Sequence, residues 1–214
     1  MVLATRGVHV ISCDEMTGME ALERVAAPQP MQSGQPERVE FEYVRHGTLS
    51  LIANFEVGSG QVLAPSLGPR RTEVDFAGHI AQTIATDPQA TWVFITDQLN
   101  TDQSEALVRL VAAQCDLRVD LGLKGKSGVL ESMTSRATFL SDPAHRIQFV
   151  YVPKHTSWLN QIEIWFSILV RRVIKRGNFT SQDDLRAKIL AFVEYFNRMA
   201  KPFRWTYTGR PLQA

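Results

Sequence analysis

Apolar and polar positions follow two periods along this chain. Gly7 to Cys13 (GVHVISC) has the pattern of a strand, and it delivers Asp14 at its end. After a Pro/Gln/Gly-rich loop from Ala27 to Pro36, Val39 to Val44 and Leu49 to Phe55 read as two more strands, separated by the turn-like Arg45-His46-Gly47-Thr48. These three strands predict a meander. Glu73 to Thr86 carries the spacing of an amphipathic helix. Thr91 to Thr96 (TWVFIT) is a nearly unbroken apolar run of strand length, as in a strand buried on both faces, and it ends in Asp97. Ser104 to Gln114 is the next helix.

Residues 116 to 145 break the pattern. The glycine-dotted Leu121 to Gly128 precedes a short helix expected from Val129 to Leu140, so the stretch reads as an insertion. Ile147 to Val152 (IQFVYV) is a further strand, stopped by Pro153. Two helices close the chain, Ser157 to Lys175 and Ser181 to Asn197. Ser181, three residues before Asp184, suits a cap for the last helix, whose Leu185, Ile189, Phe192 and Phe196 form one stripe. The element order βββαβα(insert)βαα describes an α/β protein, a mixed sheet with helices packed on it.

Composition narrows the class. With 214 residues, 44% of them hydrophobic, the chain suits one domain with a real core. No stretch approaches the roughly 18 unbroken apolar residues of a membrane span, and Met1 to Val10 lacks the features of a signal peptide, so a soluble, cytoplasmic protein is expected. Cys13 and Cys115 form no CxxC pair, which argues against zinc cages and a disulfide scaffold. Charge is distributed unevenly. Residues 1 to 144 carry 11 Lys+Arg against 18 Asp+Glu, net −7, whereas residues 145 to 214 carry 12 against 4, net +8. Such a chain suits a polyanion surface beside a carboxylate cluster, or simply an uneven surface composition.

Asp14 and Asp97 each end a predicted strand, the edge where open α/β sheets gather functional groups, although Asp often ends a strand merely to begin a turn. Glu163 has a more telling setting. At about 100° per residue, Leu159, Ile162, Phe166, Val170 and Ile174 share one stripe, and Glu163 falls inside it. A carboxylate facing a core needs a cation or donors; the alternative is an edge Glu that snorkels or pairs with Arg. Asp14, Asp97 and Glu163 together suit two hard divalent cations, which favour carboxylate oxygens and water and can drive phosphodiester chemistry. Other chemistries fit poorly. Lys124-Gly125-Lys126-Ser127 mimics a nucleotide-binding loop, but Asp120 stands where its first glycine is required. The five histidines show no zinc-protease spacing, and no serine has a G-x-S-x-G setting. Lys154, Arg171, Arg172, Lys175 and Arg176, with His155 near a helix start, form either a phosphate track or a solvated face. Trp158, Trp165 and Trp205, interleaved with them, lean toward the track.

Several motifs then carry a family resemblance. They are Asp14-Glu15-Met16-Thr17-Gly18 with Ala21-Leu22-Glu23-Arg24, Glu42 to Thr48 (EYVRHGT), and Thr96 to Thr101 (TDQLNT). The most specific is His155 to Phe166 (HTSWLNQIEIWF), continued by Arg176-Gly177-Asn178-Phe179 and Lys201-Pro202-Phe203-Arg204-Trp205. Through them the chain resembles the catalytic domain of IS630 family transposases, within the IS630/Tc1/mariner group of DDE enzymes, almost from end to end. The resemblance implies a ribonuclease-H-like fold, a three-strand antiparallel meander plus two parallel strands. It implies Asp14, Asp97 and Glu163 as catalytic and metal-binding residues for two Mg²⁺ ions, with Mn²⁺ able to substitute. It further implies cleavage of double-stranded DNA at transposon ends, strand transfer to a target, and a homo-oligomeric active complex. A catalytically impaired remnant that only binds DNA or assembles is the alternative.

The chain departs from the family pattern in three ways. Gln98 and Asp102 stand where the family carries Asn and His, so Asp102 is expected to add negative charge near the metals. The Asp97 to Glu163 interval is lengthened by the 116 to 145 insertion. The family's N-terminal helix-turn-helix region has no room before Asp14, which predicts a separately encoded or truncated catalytic half.

Overall fold

The computed structural model describes residues 7–154, 156–204 and 206. Its centre is one five-stranded sheet in the order β3-β2-β1-β4-β5, built from β1 (Val8–Arg24), β2 (Tyr43–Glu56), β3 (Val62–Gly68), β4 (Thr91–Thr96) and β5 (Ile147–Tyr151). β1, β2 and β3 pair antiparallel, while β4 pairs parallel with both β1 and β5. This is the ribonuclease-H-like mixed sheet that the sequence led us to expect. Helices α1 (Glu73–Ile84), α2 (Glu105–Gln114) and α3 (Met133–Leu140) share one apolar core with the sheet, and α4 (Ile162–Leu169) and α5 (Gln182–Arg198) share a second. Alternation along β1 feeds both: Ile11 and Cys13 enter the first core, whereas Met16 packs on the second. Asp14, in phase with Ser12 and Met16, therefore belongs to the α4 face.

The meander differs from expectation in its members. β1 does not stop at Cys13 but runs for 17 residues, so Asp14 lies inside the strand, two positions beyond the last parallel pair Ser12–Ile95. Of the strand expected at 39–44 only Tyr43 and Val44 are extended in the sheet; they join the strand expected at 49–55 in one strand, β2, and the turn-like Arg45 to Thr48 lies within it. Register explains why. Between the pairs Glu20–Thr48 and Leu22–Arg45, β2 advances by three residues while β1 advances by two, a bulge that uses Gly47 at φ +106. Turn-forming residues here bend a strand instead of ending it. β3 was not expected, because Pro65 and Ala64 (φ 43) interrupt its pattern; both fall in a bulge on this edge strand.

The helices α2 and α5 keep their expected places. Ser104 and Ser181 cap α2 and α5 by accepting from the backbone N–H of Leu107 and Asp184. Within 116–145, a small turn bridges Leu123 to Ser127, and a short 3₁₀ turn (Gly128–Leu130) leads into α3. Cys13 and Cys115 are both free thiols. Among the described residues no helix is long and apolar enough to cross a membrane.

Among the described residues, the long β1 leaves part of one edge without a strand neighbour beyond Ser12. The chain after α4 covers its far end: Phe179 N–H donates to Leu22 O (2.8 Å), and Arg24 N–H donates to the Asn178 side-chain oxygen (2.6 Å). The Arg176 to Phe179 motif thus has a structural task.

Candidate active site

Asp14 is half-buried on β1, and its Oδ1 accepts from the Glu15 N–H (2.7 Å). Asp97 follows β4 directly and folds back to accept from Leu99 N–H (3.0 Å), the local turn an Asp after a strand favours. Glu163 occupies the first turn of α4 and is also half-buried. Burial, joined by the fields of Asp97 and Glu163, pushes the Asp14 carboxyl up to about 7, although the Glu15 N–H works against the rise. Residues from three separate elements therefore share one electrostatic neighbourhood.

Glu163 differs from its expected setting. The residues of α4 that enter the core are Ile162, Trp165, Phe166 and Leu169, while Val170 and Ile164 are exposed. A single helix from Ser157 to Lys175 does not form: a 3₁₀ turn covers Ser157–Leu159, and a π turn covers Val170–Ile174, closed by Lys175 N–H donating to Val170 O (2.8 Å). Both interruptions shift the angular phase, so Glu163 lies on the flank of the core stripe.

Asp102 also departs from expectation. It is 4% exposed, and burial together with a hydrogen bond to Asp97 pushes its carboxyl up to about 10. Burial and the neighbouring carboxylates thus oppose its ionisation beside Asp97. Glu15, which sequence reasoning did not single out, points to the opposite face and forms an ion pair with Arg71. Its Oε1 is buried without a hydrogen-bond partner among the described residues.

A divalent ion suits the chemistry of this donor set. All three side chains offer hard carboxylate oxygens, and no ion pair engages Asp14, Asp97 or Glu163 among the described residues. They are not closed into a cage: among the described residues no group of three His, Cys, Asp or Glu is close enough to hold one ion.

The cationic residues separate into two groups. Arg146 donates to Ala90 O and Gln114 O, Arg186 to Leu67 O, and Lys188 pairs with Asp184 at 2.7 Å. These stabilise the fold. Lys154, Arg171, Arg172, Lys175 and Arg176 are exposed and form no ion pair with the described residues, the last four on or just after the π turn. His155 and Trp205 lie outside the described residues. Trp165 is fully buried and Trp158 is half exposed, so the expected tryptophan track loses one member to the core. A groove bounded by Met16, Leu22, Phe41, Tyr43, Ile174 and Phe179 runs beside the β1–β2 ribbon and contains none of the three carboxylates.

A comparison with curated proteins finds no match. Among solved structures, the chain is similar to one described as the crystal structure of the Mos1 mariner paired end complex with Mn, at 12% identity and a TM-score of 0.34. The alignment covers 87% of this chain and 53% of that one, so the present chain spans about half its length. Residues 9–186 match the family of DDE superfamily endonucleases, a stretch that includes Asp14, Asp97 and Glu163. The chain belongs to the DDE superfamily endonuclease family.

Proposed function

We propose that this chain is a transposase catalytic domain of IS630 type, residues 1 to 214 with 116–145 as an insertion, which cuts DNA at transposon ends and transfers the strands. The observation that carries this reading is that the fields of Asp97 and Glu163 both reach the Asp14 carboxyl, while none of the three is held in an ion pair among the described residues. In this reading Asp14, Asp97 and Glu163 hold two Mg²⁺ ions, or Mn²⁺ in their place. When bound, such ions activate a water or a 3′-hydroxyl and stabilise the leaving oxygen. The chain's own contribution is positioning: β1, β4 and α4 present the carboxylates at one sheet end. Lys154, His155, Arg171, Arg172, Lys175 and Arg176 hold the phosphate backbone of double-stranded DNA, a sequence-blind grip. A homo-oligomer acting on DNA in the cytoplasm, beside the nucleoid, completes the reading.

Cleavage of a supercoiled plasmid carrying the transposon ends tests it, with Mg²⁺ or Mn²⁺ present. Asp97→Asn and Glu163→Gln are expected to lose nicking while keeping the wild-type Tm. Equal nicking by wild type and both variants would overturn the assignment.

A further inference from the structure

The start of α4 has no cap of its own. Gln161, which precedes its first residue, makes no side-chain cap hydrogen bond, although the first turn of any helix leaves N–H groups without partners. The missing acceptor comes from β1. Ile162 N–H donates to the Ser12 hydroxyl oxygen at 2.8 Å, across 150 positions of sequence. That hydroxyl donates in turn to the Asn160 side-chain oxygen, and Asn160 Nδ2 donates to the Cys13 carbonyl at 2.9 Å. Ser12 and Asn160 are both fully buried.

Three hydrogen bonds therefore lock two short segments together: Ser12-Cys13, directly before Asp14, and Asn160 to Ile162, directly before Glu163. In low dielectric each such group is costly to leave unpaired, so the arrangement tolerates little slippage. The brace stands at the last parallel β1–β4 pair, Ser12–Ile95, beyond which strand pairing with β4 no longer holds β1.

We propose that Ser12 and Asn160 are positioning residues that set the separation of the Asp14 and Glu163 carboxylates and thereby the affinity of the site for divalent metal. The inference rests on the reading of Asp14 and Glu163 as metal-binding residues. Both side chains are fully buried and would act through the segments that carry Asp14 and Glu163. Groups that orient metal ligands from behind in this way commonly alter metal affinity by about 10–100-fold when removed.

The test is Mn²⁺ binding to the full chain without DNA, followed by the paramagnetic resonance of free Mn²⁺, with Tm measured in parallel. Glu163→Gln examines the underlying reading: if it binds Mn²⁺ as wild type does, the metal assignment of Glu163 fails, whatever the brace does. Given that Glu163→Gln weakens binding, Ser12→Ala and Asn160→Ala are each expected to weaken Mn²⁺ binding at least about tenfold. The double variant should lose less than the product of the single losses, because the two side chains share one bond. Affinity within twofold of wild type, with Tm lowered, would make the brace merely structural and overturn the proposal. Ser12→Ala deletes one hydroxyl only and is the folded variant on which the decision rests if Asn160→Ala does not fold.

Discussion

His79 offers a quantitative check on the packing of α1 against the sheet. It is 1% exposed, and its Nε2 faces Asn54 Nδ2 at 2.7 Å while Nδ1 faces Ser66 Oγ at 2.8 Å. An amide NH₂ only donates, so Nε2 accepts and Nδ1 carries the proton, donating to Ser66. A second proton on Nε2 would point at a donor in a buried site. Burial accordingly lowers the His79 pKa from 6.5 to about 3. In the unfolded chain the imidazole takes a proton below about pH 6.5, whereas the folded protein refuses it until about pH 3. The unfolded state thus binds more protons across that window, and the contribution of His79 to stability falls as pH falls. Between pH 7.5 and pH 5 the loss amounts to about 2 kcal/mol, or roughly 4–8 °C in Tm for a chain of this size.

Other groups titrate in the same range, so the informative quantity is a difference. His79→Gln removes the titration while retaining an acceptor and a donor. Urea unfolding of both proteins at pH 7.5 and pH 5 should show the wild-type advantage shrinking by about 2 kcal/mol. A stability difference that is the same at both pH values would refute the assigned burial and tautomer.

Arg171→Ala combined with Arg172→Ala is expected to weaken binding to every DNA sequence alike, and to flatten the logarithmic salt dependence by about 0.9 per lost phosphate contact; titrations at several salt concentrations would show it. Gly60→Ala should cost more stability than Gly47→Ala, on the order of 2 kcal/mol or above against about 1. Both glycines have positive φ, but a Cβ at Gly60 would lie 2.2 Å from the Lys201 backbone oxygen, whereas at Gly47 it would meet only the movable end of Gln182. Thermal melts of the two variants would rank them.

Where one local pattern decided the structure, the sequence was legible. Thr91–Thr96 and the Ser-capped α2 and α5 were read almost to the residue, because burial on both faces and side-chain caps are local signals. The sequence predicts a break inside β2 because Gly47 supports a bulge as readily as a turn, and only pairing with β1 separates the two. β3 was hidden by Pro65, which an edge strand tolerates. The phase of Glu163 is not legible in the sequence, because the run from Ser157 to Lys175 predicts one unbroken helix where 3₁₀ and π turns intervene. Ser12 and Asn160 gave no local signal at all. A serine in a strand and an asparagine before a helix are ordinary until the fold joins them.

The contact between the Asn178–Phe179 segment and β1 bears on how the protein behaves among copies of itself. A strand edge with free N–H and C=O groups is a template for another chain, and extended ribbons are prone to edge-to-edge association. Here Phe179 N–H and the Asn178 carboxamide occupy Leu22 O and Arg24 N–H, so these groups are denied to an incoming strand. The guard is supplied by residues more than 150 positions away from the strand they protect. Until the segment after α4 docks, β1 is a sticky edge, and solubility during synthesis depends on the last third of the chain arriving promptly.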